Sequence, residues 1–232
     1  MVNSKIFYDV MAQKNRRGYR NVTKKRAGYL ASIDREFVKI ISETTNAKLL
    51  DVGSGDGSRI QKLIQGKQIE LSAIENSGNF YNLLSRNTSI SHAYNLDIND
   101  FKVQDLTFNY VTALWNVWGH VSDVENAFKL IFDSLAQDGI FFFDVNNPFN
   151  LREYGFWNGS RNFINSKFGQ NVKSFKLISN GLETDVFFRP PWVYREILNR
   201  IGFKNIKLTY FNYNTGANSN MFSGQVLITC HK

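Results

Sequence analysis

One stretch of the chain decides its fold: Leu49-Leu50-Asp51-Val52-Gly53-Ser54-Gly55-Asp56-Gly57-Ser58. Its apolar beginning predicts a short buried strand, and its three alternate glycines predict a tight turn. Residues 57–65 then have the apolar spacing of a helix, which Gly66 can end. A strand, a glycine-rich turn and a helix in this order are typical of a parallel α/β sheet with a ligand site at the turn.

The alternation of strand and helix continues on both sides of this stretch. An amphipathic helix is predicted over 23–45, just before the strand 47–52. Further strands are predicted over 69–75, 92–98, 108–115 and 140–145, and further helices over 78–86, 121–136 and 192–201. The last two strands, 204–213 and 222–230, are joined by a short polar loop and should pair antiparallel. We therefore predict a doubly wound α/β fold with a mostly parallel seven-stranded sheet whose last strand is antiparallel.

Residues 147–189 interrupt this rhythm. They carry turn formers and aromatic residues, with a weak alternation over 171–178 and 182–188 around Ser179-Asn180-Gly181. We predict a hairpin-bearing insertion over the edge of the sheet. The 232 residues then form a single domain, made of an N-terminal helical arm (1–46), a cofactor-binding core (47–146), the insertion (147–189) and a C-terminal helix and strand pair (190–232).

The composition is that of a globular protein, with 43% hydrophobic and 21% charged residues. No window approaches the roughly 18 uninterrupted apolar residues of a membrane span, and the N-terminus lacks the apolar region of a secretion signal. We therefore expect a cytoplasmic protein that has no membrane partner. The chain has a single cysteine, Cys230, so it cannot form an intramolecular disulfide. Its three histidines are far apart in the sequence, and we therefore predict no metal site.

The net charge of +8 is concentrated at one end of the chain. Residues 1–26 contain eight lysines and arginines and one acid, Asp9, so the remaining chain is nearly balanced. Such a basic arm can bind RNA, attract an anionic substrate or remain solvated, and the sequence leaves these three roles open.

The glycine-rich turn departs from two common nucleotide motifs. The dinucleotide fingerprint requires a third glycine where this chain has Ser58, and a phosphate loop requires a following Gly-Lys-Ser/Thr, which is absent. An acid that ends the strand and is followed by three alternate glycines resembles instead the first motif of class I S-adenosylmethionine-dependent methyltransferases, in their small-molecule branch. The resemblance covers residues 47–145.

This resemblance implies S-adenosylmethionine as the cofactor and assigns roles to residues at successive strand ends. The first turn would bind the methionine part, because Asp51 can accept from its ammonium group, directly or through water, and a helix N-terminus favours its carboxylate. Glu75 would accept from the ribose hydroxyls, Asp97 would accept from the adenine amino group, and Ile98 would pack on the adenine ring. The complete set of cofactor candidates is Asp51, Gly53, Ser54, Gly55, Glu75, Asn76, Asp97, Ile98 and Trp115.

The segment Leu114–His120 follows the fourth strand, where the resembling family places the transferable methyl group. It has neither the Asn/Asp-Pro-Pro-Tyr/Phe tetrapeptide of enzymes that methylate amino groups of bases or glutamine nor the Pro-Cys of those that methylate cytosine C5. His120 and Asn116 are the catalytic candidates. His120 is either a general base for a hydroxyl acceptor or a residue that orders the start of a helix.

The acceptor would be covered by the insertion, the N-terminal arm and the ends of the fourth and fifth strands. The candidates are Tyr8, Tyr19, Trp118, Asn146, Asn147, Tyr154 and Arg189, a set of aromatic, amide and cationic side chains. They predict methyl transfer to an oxygen or nitrogen atom of a small metabolite, an anionic one included. The alternatives are an RNA methyltransferase that uses the basic arm and a cofactor-binding subunit without chemistry of its own. The sequence gives no oligomeric state.

Overall fold

The computed structural model describes residues 4–14, 27–41, 45–102, 107–167, 173–179 and 182–232. Its first half contains helices α1 (Ser4–Lys14), α2 (Ala27–Ile40), α3 (Ser58–Leu63) and α4 (Gly78–Leu84) and strands β1 (Ala47–Val52), β2 (Ile69–Ile74), β3 (His92–Tyr94) and β4 (Phe108–Ala113). Its second half contains α5 (Val124–Ser134), β5 (Leu135–Val145), α6 (Leu151–Tyr154), α7 (Phe156–Lys167), β6 (Lys173–Ser179), β7 (Leu182–Phe188), α8 (Pro191–Ile201), β8 (Lys204–Asn212) and β9 (Gly224–His231).

Seven strands form one sheet in the order β3-β2-β1-β4-β5-β9-β8. The pairs among β1 to β5 are parallel, and β9 runs antiparallel to both β5 and β8. The predicted doubly wound sheet with an antiparallel last strand is thus confirmed. The carboxyl ends of β1 to β5 meet at one edge, and the strand order reverses direction at β1, where α/β sheets bind ligands.

The core lies on both faces of the sheet because the strands alternate. Phe141 and Phe143 of β5 pack with α5 and α8, whereas Phe142 between them faces α2, where it contacts Phe37. All three phenylalanine side chains are at most 1% exposed. The strand that the sequence predicted to be fully buried is therefore buried on both faces.

The flanking helices begin and end where local chemistry allows. The carboxylate of Asp123 accepts from the backbone N–H of Asn126 and so caps α5, whose apolar residues at helical spacing lie in the core. Pro191 occupies the first turn of α8, and Gly202 ends that helix in a left-handed conformation.

Several predicted boundaries were wrong. The strand predicted over 92–98 ends at Tyr94, because the Asp97 carboxylate accepts from the backbone N–H of Asn99 and starts a 3-10 turn. The helix predicted over 23–45 ends at Ile40, and its first residues lie outside the described part of the chain. The fifth strand begins at Leu135, five residues earlier than predicted.

The segment 147–189 contains the predicted hairpin, in which β6 and β7 pair antiparallel as a separate two-stranded sheet. It also contains two helices, α6 and α7, that the sequence analysis missed. The hairpin lies near α1 and the turn after β4. None of the helices described is long and apolar enough to span a membrane.

Candidate active site

A cavity of about 570 Å³ opens at the carboxyl edge of the sheet. Its floor consists of the turns that follow β1, β2, β4 and β5, and α1 and α2 contribute its walls. Eleven of the eighteen predicted site residues line it: Tyr8, Gly53, Gly55, Glu75, Asn76, Asp97, Ile98, Trp115, Asn116, His120 and Asn146.

The glycine-rich turn adopts a backbone that L side chains disfavour. Gly53, Gly55 and Gly57 have φ values of 70°, 61° and 74°. A Cβ on Gly53 would lie 2.7 Å from a methyl carbon of Val117, and one on Gly57 would lie 2.8 Å from Ile90 and Leu84. A Cβ on Gly55 would contact no protein atom within 4 Å, so this glycine faces the space that a ligand can use.

Asp51 lies behind this turn and does not line the cavity. Its carboxylate accepts from the hydroxyl of Ser54 at 2.7 Å and from the hydroxyl of Thr112 at 2.7 Å. Burial raises the pKa of Asp51, and these two hydrogen bonds oppose the rise. Asp51 and Ser54 therefore stabilise the turn. The contact of Asp51 with a ligand, directly or through water, stays a prediction.

Glu75 connects the turn to the next strand. Its carboxylate accepts from the backbone N–H of Gly55 at 2.8 Å and from that of Ser77 at 2.8 Å. Burial raises the pKa of Glu75 against these two hydrogen bonds. Because each carboxylate oxygen has a further acceptor position, the side chain can also bind a ligand hydroxyl.

Asp97 and Ile98 lie beside Glu75 at the next strand end. One oxygen of Asp97 accepts from the backbone of Asn99 at 2.9 Å, and the other accepts from the side chain of Asn76 at 3.2 Å. Ile98 is 4% exposed and presents an apolar surface to the cavity. The three predicted acids thus lie near the carboxyl ends of β1, β2 and β3, with Asp97 three residues beyond the last residue of β3. Glu75 and Asp97 line the cavity, and Asp51 does not.

The turn after β4 is held by an acid that the sequence analysis did not select, Asp144 at the end of β5. Trp115 and Asn116 have φ values of 75° and 60°, which is unusual for two consecutive residues other than glycine. The backbone N–H groups of both donate to one carboxylate oxygen of Asp144, and the other oxygen accepts from the Tyr29 hydroxyl at 3.0 Å. The sequence could have identified Asp144, because it is an acid near the carboxyl end of a predicted strand, as Asp51 is.

Tyr8 of α1 closes the cavity from above. Its hydroxyl lies 2.8 Å from Nε2 of His120, and the two rings meet edge to face. Burial lowers the pKa of His120 to about 4, while the main chain of Asp185 acts in the opposite direction. Burial, and secondarily the charge of Glu75, raises the pKa of Tyr8. Both side chains are therefore uncharged at neutral pH, and the hydroxyl can donate a hydrogen bond to Nε2 when Nδ1 carries the imidazole proton.

Four predicted acceptor residues do not line the cavity: Trp118, Asn147, Tyr154 and Arg189. Trp118 is fully buried among phenylalanines of the core. Asn147 is fully buried and bonded to Gln225 and to backbone carbonyls of the turn before β9. Arg189 donates to the carbonyls of Trp118, Val121 and Ser122, and Tyr154 packs edge to face on Phe188.

Two tyrosines that the sequence analysis did not select line the cavity. Tyr29 of α2 and Tyr213, just after β8, stack with ring centroids 5.9 Å apart. Nothing in the sequence pattern distinguished them from core aromatics. Tyr19 and most of the basic arm lie outside the described residues.

A family model described as a methyltransferase domain matches residues 22–208 of the chain. No curated protein matches it.

Among solved structures, a S-adenosylmethionine-dependent methyltransferase from Clostridium acetobutylicum is 12% identical, with a TM-score of 0.64, and the match covers 97% of this chain and 98% of that one. A Thermotoga maritima protein described as a possible histamine N-methyltransferase is 15% identical, with a TM-score of 0.65 and coverage of 98% and 99%. Magnesium protoporphyrin IX methyltransferase from Synechocystis, with bound S-adenosylhomocysteine, is 13% identical, with a TM-score of 0.65 and coverage of 99% and 98%. At these identities the likeness is one of fold.

Proposed function

We propose that this chain, which belongs to the methyltransferase domain family and is an S-adenosylmethionine-dependent methyltransferase, methylates an oxygen or nitrogen atom of a small metabolite. One observation supports this proposal above the others. The glycine-rich turn and the polar residues after β4 and β5 line the same cavity, so the chain has room for cofactor and acceptor side by side. A cavity of about 570 Å³ has the size of a small-molecule site.

The cofactor residues suit the parts of S-adenosylmethionine. Gly53 and Gly55 would let the methionine part approach the backbone, Glu75 would accept from the ribose hydroxyls, and Asp97 with Ile98 would hold the adenine. When bound, the cofactor supplies a methyl group on a positively charged sulfur, which leaves as a neutral thioether.

Because this leaving group needs no activation, the residues around the acceptor act mainly by positioning it. Correct alignment of two reactants in a closed site can account for about 7–11 kcal/mol of the barrier. Asn116 and Asn146 offer amide groups at the cavity, and Asn116 Oδ1 accepts from the backbone of Asn146 at 3.3 Å. His120 is uncharged at neutral pH, and its Nε2 lies 2.8 Å from the Tyr8 hydroxyl, so its ring can take part in hydrogen bonds or accept a proton at the acceptor.

The test is a transfer assay with the purified chain and cofactor that carries a tritiated methyl group. Metabolites of low mass, total RNA and protein from cells are offered as separate acceptor fractions. Label in the low-mass fraction supports the proposal. Label in the RNA fraction would identify an RNA methyltransferase, and no label in any fraction, with the cofactor bound, would favour a non-catalytic subunit.

The variant Asn116→Gly tests whether transfer occurs at this site. It removes the side chain and keeps a backbone that tolerates the φ of 60°. We expect transfer to fall at least about tenfold while S-adenosylhomocysteine still binds. Unchanged transfer would remove Asn116 from the acceptor site.

A further inference from the structure

The cavity has two halves, which are lined by residues that follow different strands of the sheet. Residues after β1, β2 and β3 form the half that would hold the cofactor. The other half is formed by residues that follow β4, β5 and β8 and by α2, with Asn116, Asp144, Asn146, Tyr29 and Tyr213 facing the space. In the order β2-β1-β4-β5, the second half begins where the methionine part of the cofactor would end.

The charge of the lining is negative. Among the described lining residues, Glu75, Asp97 and Asp144 carry carboxyl groups, and Lys5 on α1 is the one basic residue. Arg189, which the sequence analysis had offered to an anionic acceptor, donates instead to three backbone carbonyls. Among the described lining residues of the acceptor half, Asp144 can carry a charge at neutral pH, whereas burial keeps His120 neutral.

The Asp144 carboxylate retains room for one more donor. A carboxylate has about four acceptor positions, and the three donors here are two backbone N–H groups and the Tyr29 hydroxyl. Among the described residues, Tyr29 is the one hydrogen-bond donor to the second oxygen, Oδ2. A ligand N–H group that reaches this oxygen would occupy the remaining acceptor position of the carboxylate.

The aromatic rings beside Asp144 also suit a cation. Tyr29 and Tyr213 stack at an interplanar angle of 15°, and both line the cavity next to Asp144. Ring faces attract ammonium groups within about 6 Å, and the attraction grows when the group is removed from water. Arg59 does not line the cavity: its guanidinium lies over the Trp115 ring and is paired with Asp34. Its positive charge nevertheless acts on Asp144 and lowers the pKa of that carboxyl against the effect of burial.

Building on the methyltransferase function, we propose that the acceptor is a small amine, which enters as its ammonium ion and is held by the carboxylate of Asp144 beside Tyr29 and Tyr213. Burial raises the pKa of Asp144, while the charge of Arg59 and the hydrogen bonds from Trp115, Tyr29 and Asn116 oppose the rise. A bound ammonium ion would add to this stabilisation of the buried negative charge.

The same contact prepares the nitrogen for reaction. The ammonium ion passes one proton to Asp144, which frees the lone pair of the nitrogen. That lone pair forms the bond to the methyl carbon, while the electrons of the breaking carbon–sulfur bond remain on sulfur. The product is the methylated ammonium ion, and the proton on Asp144 passes to water when the product leaves.

The experiment measures binding to the protein saturated with S-adenosylhomocysteine, with three probes that share a carbon skeleton: 2-phenylethylamine, 2-phenylethanol and phenylacetate. We expect the amine to bind roughly tenfold or more tightly than the alcohol and the acid to bind least. Equal affinities, tighter binding of the alcohol or acid, or no measurable binding of the amine would overturn the proposal.

Two variants locate the preference. Asp144→Asn should abolish it, and Asp133→Asn, which removes an exposed acid on α5, should retain it. A preference that survives in Asp144→Asn would overturn the assignment to this carboxylate. Binding of S-adenosylhomocysteine is measured first for every protein: its failure in the wild type would contradict the methyltransferase function, whereas its success without amine preference contradicts only this inference. If Asp144→Asn does not bind it, the wild-type comparison decides alone.

Discussion

Gly53 in the glycine-rich turn and Gly66 outside it both have a positive φ, so their alanine variants can be compared. Gly53→Ala should destabilise the protein by at least about 2 kcal/mol, because the left-handed backbone costs about 1–2 kcal/mol and the new Cβ would contact Val117 at 2.7 Å. We also expect its affinity for S-adenosylhomocysteine to fall at least about tenfold, since the turn must move. Chemical denaturation and calorimetric titration measure both quantities.

Gly66→Ala is the matched control. Gly66 has a φ of 77°, but its added Cβ would contact nothing within 4 Å, and it lies away from the cavity. It should lose about 1 kcal/mol of stability and keep its affinity. Equal loss of affinity in the two variants would contradict the role of the turn.

The buried His120 predicts a loss of stability in acid. Its pKa of about 4 in the folded protein lies below the ordinary value of 6.5, so the unfolded chain binds its proton more tightly. Stability is complete above about pH 6.5 and falls as the pH is lowered toward 4, with a cost of about 2 kcal/mol at pH 5. Urea unfolding of the wild type and of His120→Gln, at pH 7 and pH 5, measures this cost.

In His120→Gln the loss between pH 7 and pH 5 should be smaller by that amount. The buried carboxyls Asp51, Glu75 and Asp144 have raised pKa values and act in the opposite sense, so only the difference between wild type and variant isolates the histidine. His92→Gln, at a half-exposed histidine, is the control. If it changes the pH dependence as much as His120→Gln does, the account of His120 is wrong.

The position of some candidate site residues could be predicted because the chain direction fixes it. Gly53, Gly55, Glu75, Asp97 and Ile98 lie in the turns after β1, β2 and β3, and these turns meet at one edge because the strands are parallel. The direction of a side chain could not be predicted in the same way. Trp118, Asn147 and Arg189 follow β4, β5 and β7, but their side chains are buried and do not line the cavity. No local pattern of the sequence encodes that direction.

Among the secondary-structure elements, α1 is attached to the start of α4 by the carboxylate of Asp9. Asp9 Oδ1 accepts from the Ser77 hydroxyl at 2.6 Å and from the backbone N–H of Asn79 at 3.0 Å, at the start of α4. The Asn79 side chain in turn donates to the Asp9 carbonyl at 2.9 Å. These contacts place Tyr8, the neighbouring residue, above the cavity and against His120.

Asp9→Ala should loosen α1 and weaken cofactor binding together. Loss of the capping contact costs about 1 kcal/mol, and it removes the anchor for Tyr8. Hydrogen exchange should become faster in α1, and the affinity for S-adenosylhomocysteine should fall several-fold. Asp133→Ala, at an exposed acid on α5, should change neither. Faster exchange with unchanged affinity would mean that α1 does not contribute to binding.

The elements themselves could be predicted where hydrophobic periodicity is strong. Strand β5, with its three buried phenylalanines, was placed correctly in its centre, and the Asn180-Gly181 turn identified the hairpin. Helices α6 and α7 were missed because their apolar residues are few and partly exposed: Phe156 is 63% and Trp157 83% exposed. Strand β3 was overextended because a side-chain cap at Asp97 ends the extended backbone.

At the scale of the whole molecule, the sheet order explains why one chain holds both halves of the site. The reversal of direction at β1 leaves a crevice for the cofactor, and the parallel strands β4 and β5 carry Asn116 and Asp144 to the neighbouring space. The sequence could predict this order only through the family resemblance, because strand periodicity does not specify neighbours. It also could not predict that Asp144 would hold the backbone of Trp115 and Asn116.

Ligand-induced stabilisation shows whether this chain binds the cofactor of an S-adenosylmethionine-dependent methyltransferase. Thermal unfolding is measured alone, with S-adenosylhomocysteine and with NAD. At 100 times its dissociation constant a ligand adds about 2.7 kcal/mol, or roughly 5–11 °C in Tm for a domain of this size. The account predicts such a shift with S-adenosylhomocysteine and none with NAD; no shift with S-adenosylhomocysteine, or an equal shift with NAD, would contradict it.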